Sequence, residues 1–400
     1  MTAVTSAPGC EPADRLARLA LSIFEEPGDP QLAEYVRDVG AVRLRHVLAT
    51  GERLGGNRPW PPRWSRDDAK AAMGAATDKA QGLLDAAPRA LRWICPGDGE
   101  WPLAVDDLDH VSPLSGRGAA PLGLWMRGPH DLRALAIRSV AIVGSRAATS
   151  YGSQVAGDLA AEVAERRVTV VSGAAYGIDS AAHRGALAVD GITVAVLACG
   201  GDVAYPRAHE SMLARIATDG LIVTELAPGS TPTRLRFLAR NRLIAALTSG
   251  TVVVEAAWRS GALNTANWAG SLGRVTMGVP GPVISSTSNG VHRLIRDGGA
   301  ELVTTGAEIA ESIAALGAET CSWVQGEHRL LDDLDDSGRQ VMEALPVRRA
   351  CAVNRIAESA RRPAEDVAAT LGRLLLAGLV ERTGEGWRLS AHAAGELRRA

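Results

Sequence analysis

Six short runs of apolar, mostly β-branched residues recur through the middle of the chain, at 140–143, 168–171, 193–197, 221–224, 251–254 and 275–277. Between them lie stretches with helical character, at 154–165, 178–189, 210–218 and 262–272. Near-continuous apolar strands alternating with amphipathic helices are what a parallel sheet covered on both faces requires, because neither face of such a strand meets water. The pattern predicts a doubly wound α/β domain with a mainly parallel sheet.

The flanks read differently. From residue 14 to 82 the chain is rich in Ala, Leu and Arg at helical spacing, broken at Asp29-Pro30 and again around Pro59-Trp60-Pro61. A small helical domain with a linker is therefore expected over 1–85, with Trp60 and Trp64 as packing residues, and the α/β domain over 86–320. An acidic, polar break around Asp332, Asp333, Asp335 and Asp336 predicts a linker over 321–338. Residues 339–400 then show helices at 339–345, 353–359 and 363–377, and two short strands around Gly384-Glu385-Gly386. Three helices followed by such a hairpin fit a winged-helix-like domain.

Composition narrows the class without changing this outline. Four hundred residues, 46% apolar and 22% charged, are globular and exceed what one core usually holds. No apolar run approaches the roughly 18 residues of a membrane span, and the first residues have neither the basic nor the apolar region of a secretory signal. Cys10, Cys95, Cys199, Cys321 and Cys351 are scattered and contain no Cys-x-x-Cys pair, which argues against a disulfide framework or a zinc site. The cytoplasm is the expected compartment, and neither a metal nor another cofactor is expected.

Charge is where the chain departs from the ordinary. The formal net charge is -2, yet Arg234, Arg236, Arg240 and Arg242 fall within nine residues, with no carboxylate between Glu225 and Glu255. Phe237, one of two phenylalanines, sits among them. Positive charge beside a flat ring points to an anionic ligand with a stackable face, and nucleic acid is the first candidate.

Ligands of doubly wound sheets meet the loops at the carboxyl ends of the strands. Here those loops contain Gly144-Ser145-Arg146, then Ser172-Gly173 with Tyr176-Gly177 and Asp179, then Cys199-Gly200-Gly201 with Tyr205-Pro206-Arg207. Glycines let backbone amides approach a phosphate, helix starts supply partial positive charge, and Arg146 and Arg207 add full charge. Three of the four tyrosines (Tyr151, Tyr176 and Tyr205) fall in or just beyond these loops, a placement that core packing alone does not explain.

Plainer readings stand beside each of these. A glycine after a strand can simply turn the chain, Ser172-Gly173 can be a helix entry, and Tyr205-Pro206 a rigid turn. Asp179 and His183, four residues apart without a third ligand, read as a helix N-terminal charge and a surface or hydrogen-bonded histidine rather than a metal pair. Arg240 and Arg242 flank what reads as a helix start, the wrong end for the dipole, and either can pair with Glu225 or Glu255. Phosphate-loop, dinucleotide-fingerprint and nucleophile-elbow motifs are absent from the strand ends, so no catalytic residue is assigned.

The stretches 141–146, 171–183, 195–206 and 224–242 continue in 254–256, 260–266, 273–274, 279–281 and 289–295. In order and spacing they resemble the DNA-processing protein A (DprA, or Smf) family over roughly 138–303. The resemblance implies an extended Rossmann-like domain, often with a small helical domain before it and sometimes a winged helix after it. It implies a non-enzymatic protein that binds single-stranded DNA, protects it as it enters the cell, and loads RecA recombinase on it during natural transformation, acting as a homodimer.

Carried over by position, Arg146 and the amides of the glycine loops (Gly144, Ser145, Ser172, Gly173, Gly177) would hold phosphates. Arg207 and Arg234 stand where the family often has lysine, and Phe237 would stack a base. Arg240-Asn241-Arg242 is a family signature that is expected to shape the pocket as much as touch DNA. Leu238 replaces a usual proline, and His209 stands where asparagine is common, which leaves its hydrogen-bonding role open. The alternative class is a nucleotide-processing hydrolase, the phosphoribohydrolase type that cleaves nucleoside monophosphates. Its glycine-rich motif and glutamate are missing from the comparable stretch, 258–266. A third reading makes the C-terminal domain a duplex-DNA or protein docking module, although 361–400 is only mildly basic, with seven arginines against five carboxylates.

Overall fold

All six apolar runs become strands in the computed structural model, which describes residues 9–54, 60–61, 63–86, 91–114, 116–314, 334–346 and 349–396. The chain divides into two compact units, residues 1–321 and 322–400.

The first unit begins with four helices, α1 (Pro12–Phe24), α2 (Pro30–Val39), α3 (Ala41–Thr50) and α4 (Arg66–Asp85). It continues through β1 (Arg92–Ile94), a 3-10 segment at Leu103–His110, β2 (Leu124–Arg127) and α5 (Leu132–Ile137). Then strand and helix alternate: β3 (Ser139–Val143), α6 (Ser150–Glu165), β4 (Thr169–Ser172), α7 (Ile178–Ala188), β5 (Thr193–Val196), α8 (Glu210–Asp219) and β6 (Leu221–Thr224). The series ends with α9 (Arg234–Ala246), β7 (Gly250–Val253), α10 (Gly261–Ser271), β8 (Val275–Gly278), α11 (Asn289–Arg296), β9 (Glu301–Leu302) and α12 (Gly306–Ile313).

The sheet order is β1-β2-β6-β5-β4-β3-β7-β8-β9. From β6 to β9 every pairing is parallel, and β2 joins β6, and β1 joins β2, antiparallel. Alternate residues of each strand face opposite layers, as the two-residue period of a strand demands. Ala141 and Val143 join the core beneath α9 and α10, with Leu243, Ile244 and Trp268. Val140 and Ile142 join the core of α6, α7 and α12. Because β4 and β7 flank β3 on opposite sides, the order reverses there and opens a crevice at the carboxyl ends of β3 and β7.

Three strands of the sheet, β1, β2 and β9, were not among the expected runs. Glu301-Leu302 is only two exposed residues, and Arg92-Trp93-Ile94 and Leu124-Trp125-Met126-Arg127 carry tryptophan where the expected strands carry β-branched residues. Those indoles pack 5.3 Å apart and close the core of α1–α4. The helices and the sheet are therefore one unit, with no division at 85/86. Trp64 packs on Phe24, and the Trp60 indole N–H donates to the Trp64 carbonyl at 2.6 Å.

The second unit holds α13 (Asp336–Ala344), α14 (Val353–Ala360), α15 (Ala364–Leu376), the antiparallel pair β10 (Val380–Thr383) and β11 (Gly386–Leu389), and α16 (Ala391–Glu396). Of the expected linker, 321–333 lies outside the described residues. Its remainder opens α13 instead: Asp335 is the N-cap, accepting from the Gly338 N–H at 2.6 Å, and Asp336 sits favourably in the first turn.

Candidate nucleic-acid interface

A cavity of about 830 Å³ occupies the crevice, walled by the β3 loop (Gly144, Ser145, Arg146), by α9 (Arg234, Phe237, Arg240, Asn241) and by the start of α10 with Arg259. Asp179 and Tyr205 complete it.

α9 begins at Thr233, whose hydroxyl accepts from the Arg236 N–H at 3.3 Å. Arg240 and Arg242 thus lie in the second half of the helix rather than at its start, and the macrodipole does not bear on them. The helix carries arginines on several faces, and each face meets a different environment. Arg234 is exposed, with no carboxylate partner among the described residues. Arg236 turns to the α1–α2 connection, where it makes two hydrogen bonds to Glu26 at 2.9 and 2.7 Å and one to the Thr231 carbonyl at 2.7 Å.

Arg240 is buried, donating to the carbonyls of Gly173 at 2.6 Å and Val196 at 2.7 Å. Its guanidinium occupies the space a Cβ on Gly173 would need, which is why glycine stands there. Burial lowers the Arg240 pKa, while the nearby Asp179 charge acts against that. Burial likewise raises the Asp179 pKa; its carboxylate accepts from the Ala175 N–H at 3.4 Å. Together the two side chains grip both sides of the 173–175 turn at the crevice floor.

Arg242 is fully buried and does not reach the cavity, so as a DNA contact it must be withdrawn. Its guanidinium forms a two-pronged pair with Glu225, both bonds 2.8 Å, and also donates to the carbonyls of Ala119 and Ala239 at 2.8 Å. Of the two acids open to pairing, Glu225 is the one used. Glu255 is also fully buried but takes the Thr149 N–H at 2.9 Å, the Thr149 hydroxyl at 2.6 Å and the Thr287 hydroxyl at 3.1 Å.

Three other expected contacts shape the loops instead of lining the cavity. The Ser172 hydroxyl donates to the Ile142 carbonyl at 2.7 Å and is buried. Gly173 lies under Arg240. Gly177 has φ +77°, and a Cβ there would strike the carbonyls of Ser145 and Arg146, so it lets α7 begin directly against the β3 loop. Arg207 is exposed in a 3-10 turn at Arg207–His209, just outside the cavity wall.

Of the expected site residues, Gly144, Ser145, Arg146, Arg234, Phe237, Arg240 and Asn241 do come together. The Arg146 guanidinium lies 4.6 Å from the Phe237 ring centroid, a cation–π contact, and the Tyr205 ring lies 5.8 Å away, tilted by 49°. Arg259 had not been assigned a role. Its signal was available: a basic residue in the β7 loop just ahead of Ser260, which caps α10. Three exposed arginines at the walls against one buried carboxyl at the floor make the crevice strongly positive.

The two histidines in question are both hydrogen-bonded. His183 is fully buried with Nδ1 2.8 Å from the Thr193 hydroxyl, and burial drives its pKa down to about 3. His209, the replaced asparagine position, places Nδ1 3.0 Å from the Ala174 carbonyl. Among the described residues no cluster of His, Cys, Asp or Glu could hold a metal ion, and no helix is long and apolar enough to cross a membrane.

A family model for DNA recombination-mediator protein A matches residues 92–314. The chain belongs to that family. The match starts at β1 and runs to the end of α12, so it takes in the whole nine-stranded sheet. A putative DNA processing protein DprA of Mycobacterium tuberculosis is 45% identical over 383 residues, which covers 94% of each chain. DprA of Streptococcus pneumoniae is 41% identical over 190 residues, 48% of this chain and 66% of that one. The X-ray structure of S. pneumoniae DprA is similar with a TM-score of 0.58 at 29% identity, covering 76% of this chain and 98% of that one. The DprA fold thus extends well beyond the segment where the sequences align most closely.

Proposed function

We propose that the crevice binds single-stranded DNA in DNA processing, with phosphates held by Arg146 and Arg234 and a base on Phe237. The observation that carries this reading is one aromatic ring under exposed Arg146, in a cavity that exposed Arg234 also lines, with no ion pair of either arginine among the described residues, at the strand-order reversal of a DprA-family sheet. In a duplex the bases face one another and have no free ring to offer Phe237, so single strands are preferred. Arg240 and Asn241 shape the floor, and Arg207 extends the positive surface past the rim. In this proposal the protein is a cytoplasmic binding protein rather than an enzyme. It acts as a homodimer that protects the strand and hands it to RecA recombinase, as its resemblance to DprA proteins implies.

The test is fluorescence anisotropy of the full chain with single-stranded and duplex oligonucleotides across a salt series. Phe237→Ala is expected to weaken single-strand binding by about 1–3 kcal/mol. Arg146→Ala and Arg234→Ala should each reduce the slope of log affinity against log salt by about 0.7. Wild-type affinity in all three variants would overturn the assignment, and release of free base from a nucleoside monophosphate would favour the phosphoribohydrolase alternative.

A further inference from the structure

The tyrosines at the strand ends have a use that the crevice alone leaves unexplained. Tyr205 is 43% exposed and Tyr176 50% exposed, among the most open aromatic side chains of the described residues. Neither hydroxyl has a hydrogen-bond partner among the described residues, unlike Tyr151, whose hydroxyl is fixed on the Pro280 carbonyl at 2.6 Å. Single exposed aromatics are common on protein surfaces, but these two are not isolated. The Tyr205 ring adjoins Phe237 at 5.8 Å. Directly after it, the chain turns through Pro206 into the 3-10 segment that presents exposed Arg207 and buries His209. The Tyr176 ring packs edge-on against His209 at 4.9 Å. His209 is itself pinned to the Ala174 carbonyl, so the platform under Tyr176 is rigid.

Two ring pairs therefore lie at this end of the sheet, Phe237 with Tyr205 and His209 with Tyr176, and the segment 205–209 that links them in the chain carries exposed Arg207. Alternating stackable faces and cations is the chemistry by which proteins track a single strand without reading its sequence. A strand with one base on Phe237 must leave the crevice somewhere, and this ridge offers it further faces.

We propose that Tyr205 and Tyr176 are further single-strand contacts, stacking bases of the segment that leaves the crevice, with Arg207 on a phosphate between them. The proposal rests on the single-strand reading of the crevice and names where the strand goes next. It makes the binding site longer than the stretch of strand that the cavity alone holds.

Two measurements on the full-length protein test it. The first is anisotropy with a three-nucleotide and a fifteen-nucleotide oligothymidine, using Tyr205→Ala, Tyr205→Phe, Tyr176→Ala and Phe237→Ala. On the long oligonucleotide Tyr205→Ala should lose about fivefold to about a hundredfold in affinity, and Tyr176→Ala a smaller amount toward the low end. Tyr205→Phe should bind as wild type, because the face rather than the hydroxyl is used. On the short oligonucleotide only Phe237→Ala and Tyr205→Ala should matter. The second is photocrosslinking to a 5-iodouracil-substituted fifteen-mer with mass-spectrometric mapping, which should place adducts on Phe237, Tyr205 and Tyr176.

Loss of binding in Phe237→Ala alone, with adducts confined to Phe237, overturns the ridge and leaves the crevice standing. A wild-type protein that binds neither oligonucleotide overturns both. Because both tyrosines are half exposed and neither hydroxyl has a hydrogen-bond partner among the described residues, their variants are expected to fold, and unchanged thermal melts would verify this.

Discussion

In the first half of α9, Arg234 and Phe237 face an open crevice, and Arg234 has no acidic partner among the described residues. In the second half, Arg240 and Arg242 are buried, and their guanidinium groups are consumed by a carboxylate and by backbone carbonyls. The residue type is the same and the helix is continuous, so neither composition nor secondary structure accounts for the difference. What differs is the surroundings. The first half borders the gap between the β3 and β7 loops, whereas the second half packs on the core of the central strands and against the 119 segment, where a charge must be matched or stay out. A charge in contact with water is available to a ligand, and a charge buried with its partner is a structural brace that no ligand can recruit without breaking it.

The sharpest way to break this comparison is Arg242→Ala, which strands the Glu225 carboxylate. Removal of one partner of a buried pair should cost about 3–5 kcal/mol in urea unfolding, while Arg234→Ala should stay within about 0.5 kcal/mol of wild type. Replacing both partners, Arg242→Met with Glu225→Leu, should recover part of the loss, because the Ala119 and Ala239 carbonyls still lose a donor. If Arg242→Ala were as stable as wild type and weakened DNA binding instead, the two halves of α9 would not differ as described.

Arg240→Met is expected to fall between the two behaviours. It leaves the Gly173 and Val196 carbonyls without their donor, at about 1–3 kcal/mol for each buried group left unpaired. It also loosens the 173–175 turn at the crevice floor, so affinity for single strands should fall along with stability.

Acid sharpens the contrast, because buried groups answer to pH through stability. His183 is neutral in the fold, with a pKa near 3 against 6.5 when unconstrained. Below pH 6.5 the unfolded chain therefore takes up a proton that the folded chain refuses, and stability falls as pH falls, by up to about 1.4 kcal/mol per pH unit. Asp179 has the opposite sign: its raised pKa favours protonation of the folded state, which offsets part of the loss once pH enters the carboxylate range. Denaturation midpoints between pH 7 and 4.5 should show a decline that His183→Gln flattens; a decline unchanged in that variant would assign the effect elsewhere.

Arg236 should show the smallest effect. Its pair with Glu26 is partly exposed, and Arg236→Ala should cost about 0.2–1 kcal/mol, less at high salt. Single-strand affinity near wild type would separate it from Arg234 two positions away.

The parallel strands β3 to β8 were legible because they are buried on both faces and so must be apolar, and the strand-end loops followed from that order. The glycines of those loops were legible as a class but not by role. Gly144 borders the cavity, whereas Gly173 and Gly177 make room for a guanidinium and for a neighbouring loop, a distinction that depends on atoms far away in sequence. β1 and β2 stayed hidden because they carry tryptophan in place of the β-branched runs of the parallel strands, and the division expected at 85/86 is absent with them: their tryptophans are what join the helices to the sheet.

By itself, the sequence determined the parallel sheet, the family and the concentration of arginine around Phe237, since periodicity, motif spacing and local charge are written along the chain. Only the tertiary structure decided which arginines are free. That depends on whether a carboxylate or carbonyl from a distant segment arrives beside each one: Glu225 reaches Arg242, Gly173 reaches Arg240 and Glu26 reaches Arg236, while Arg234 is left with none among the described residues.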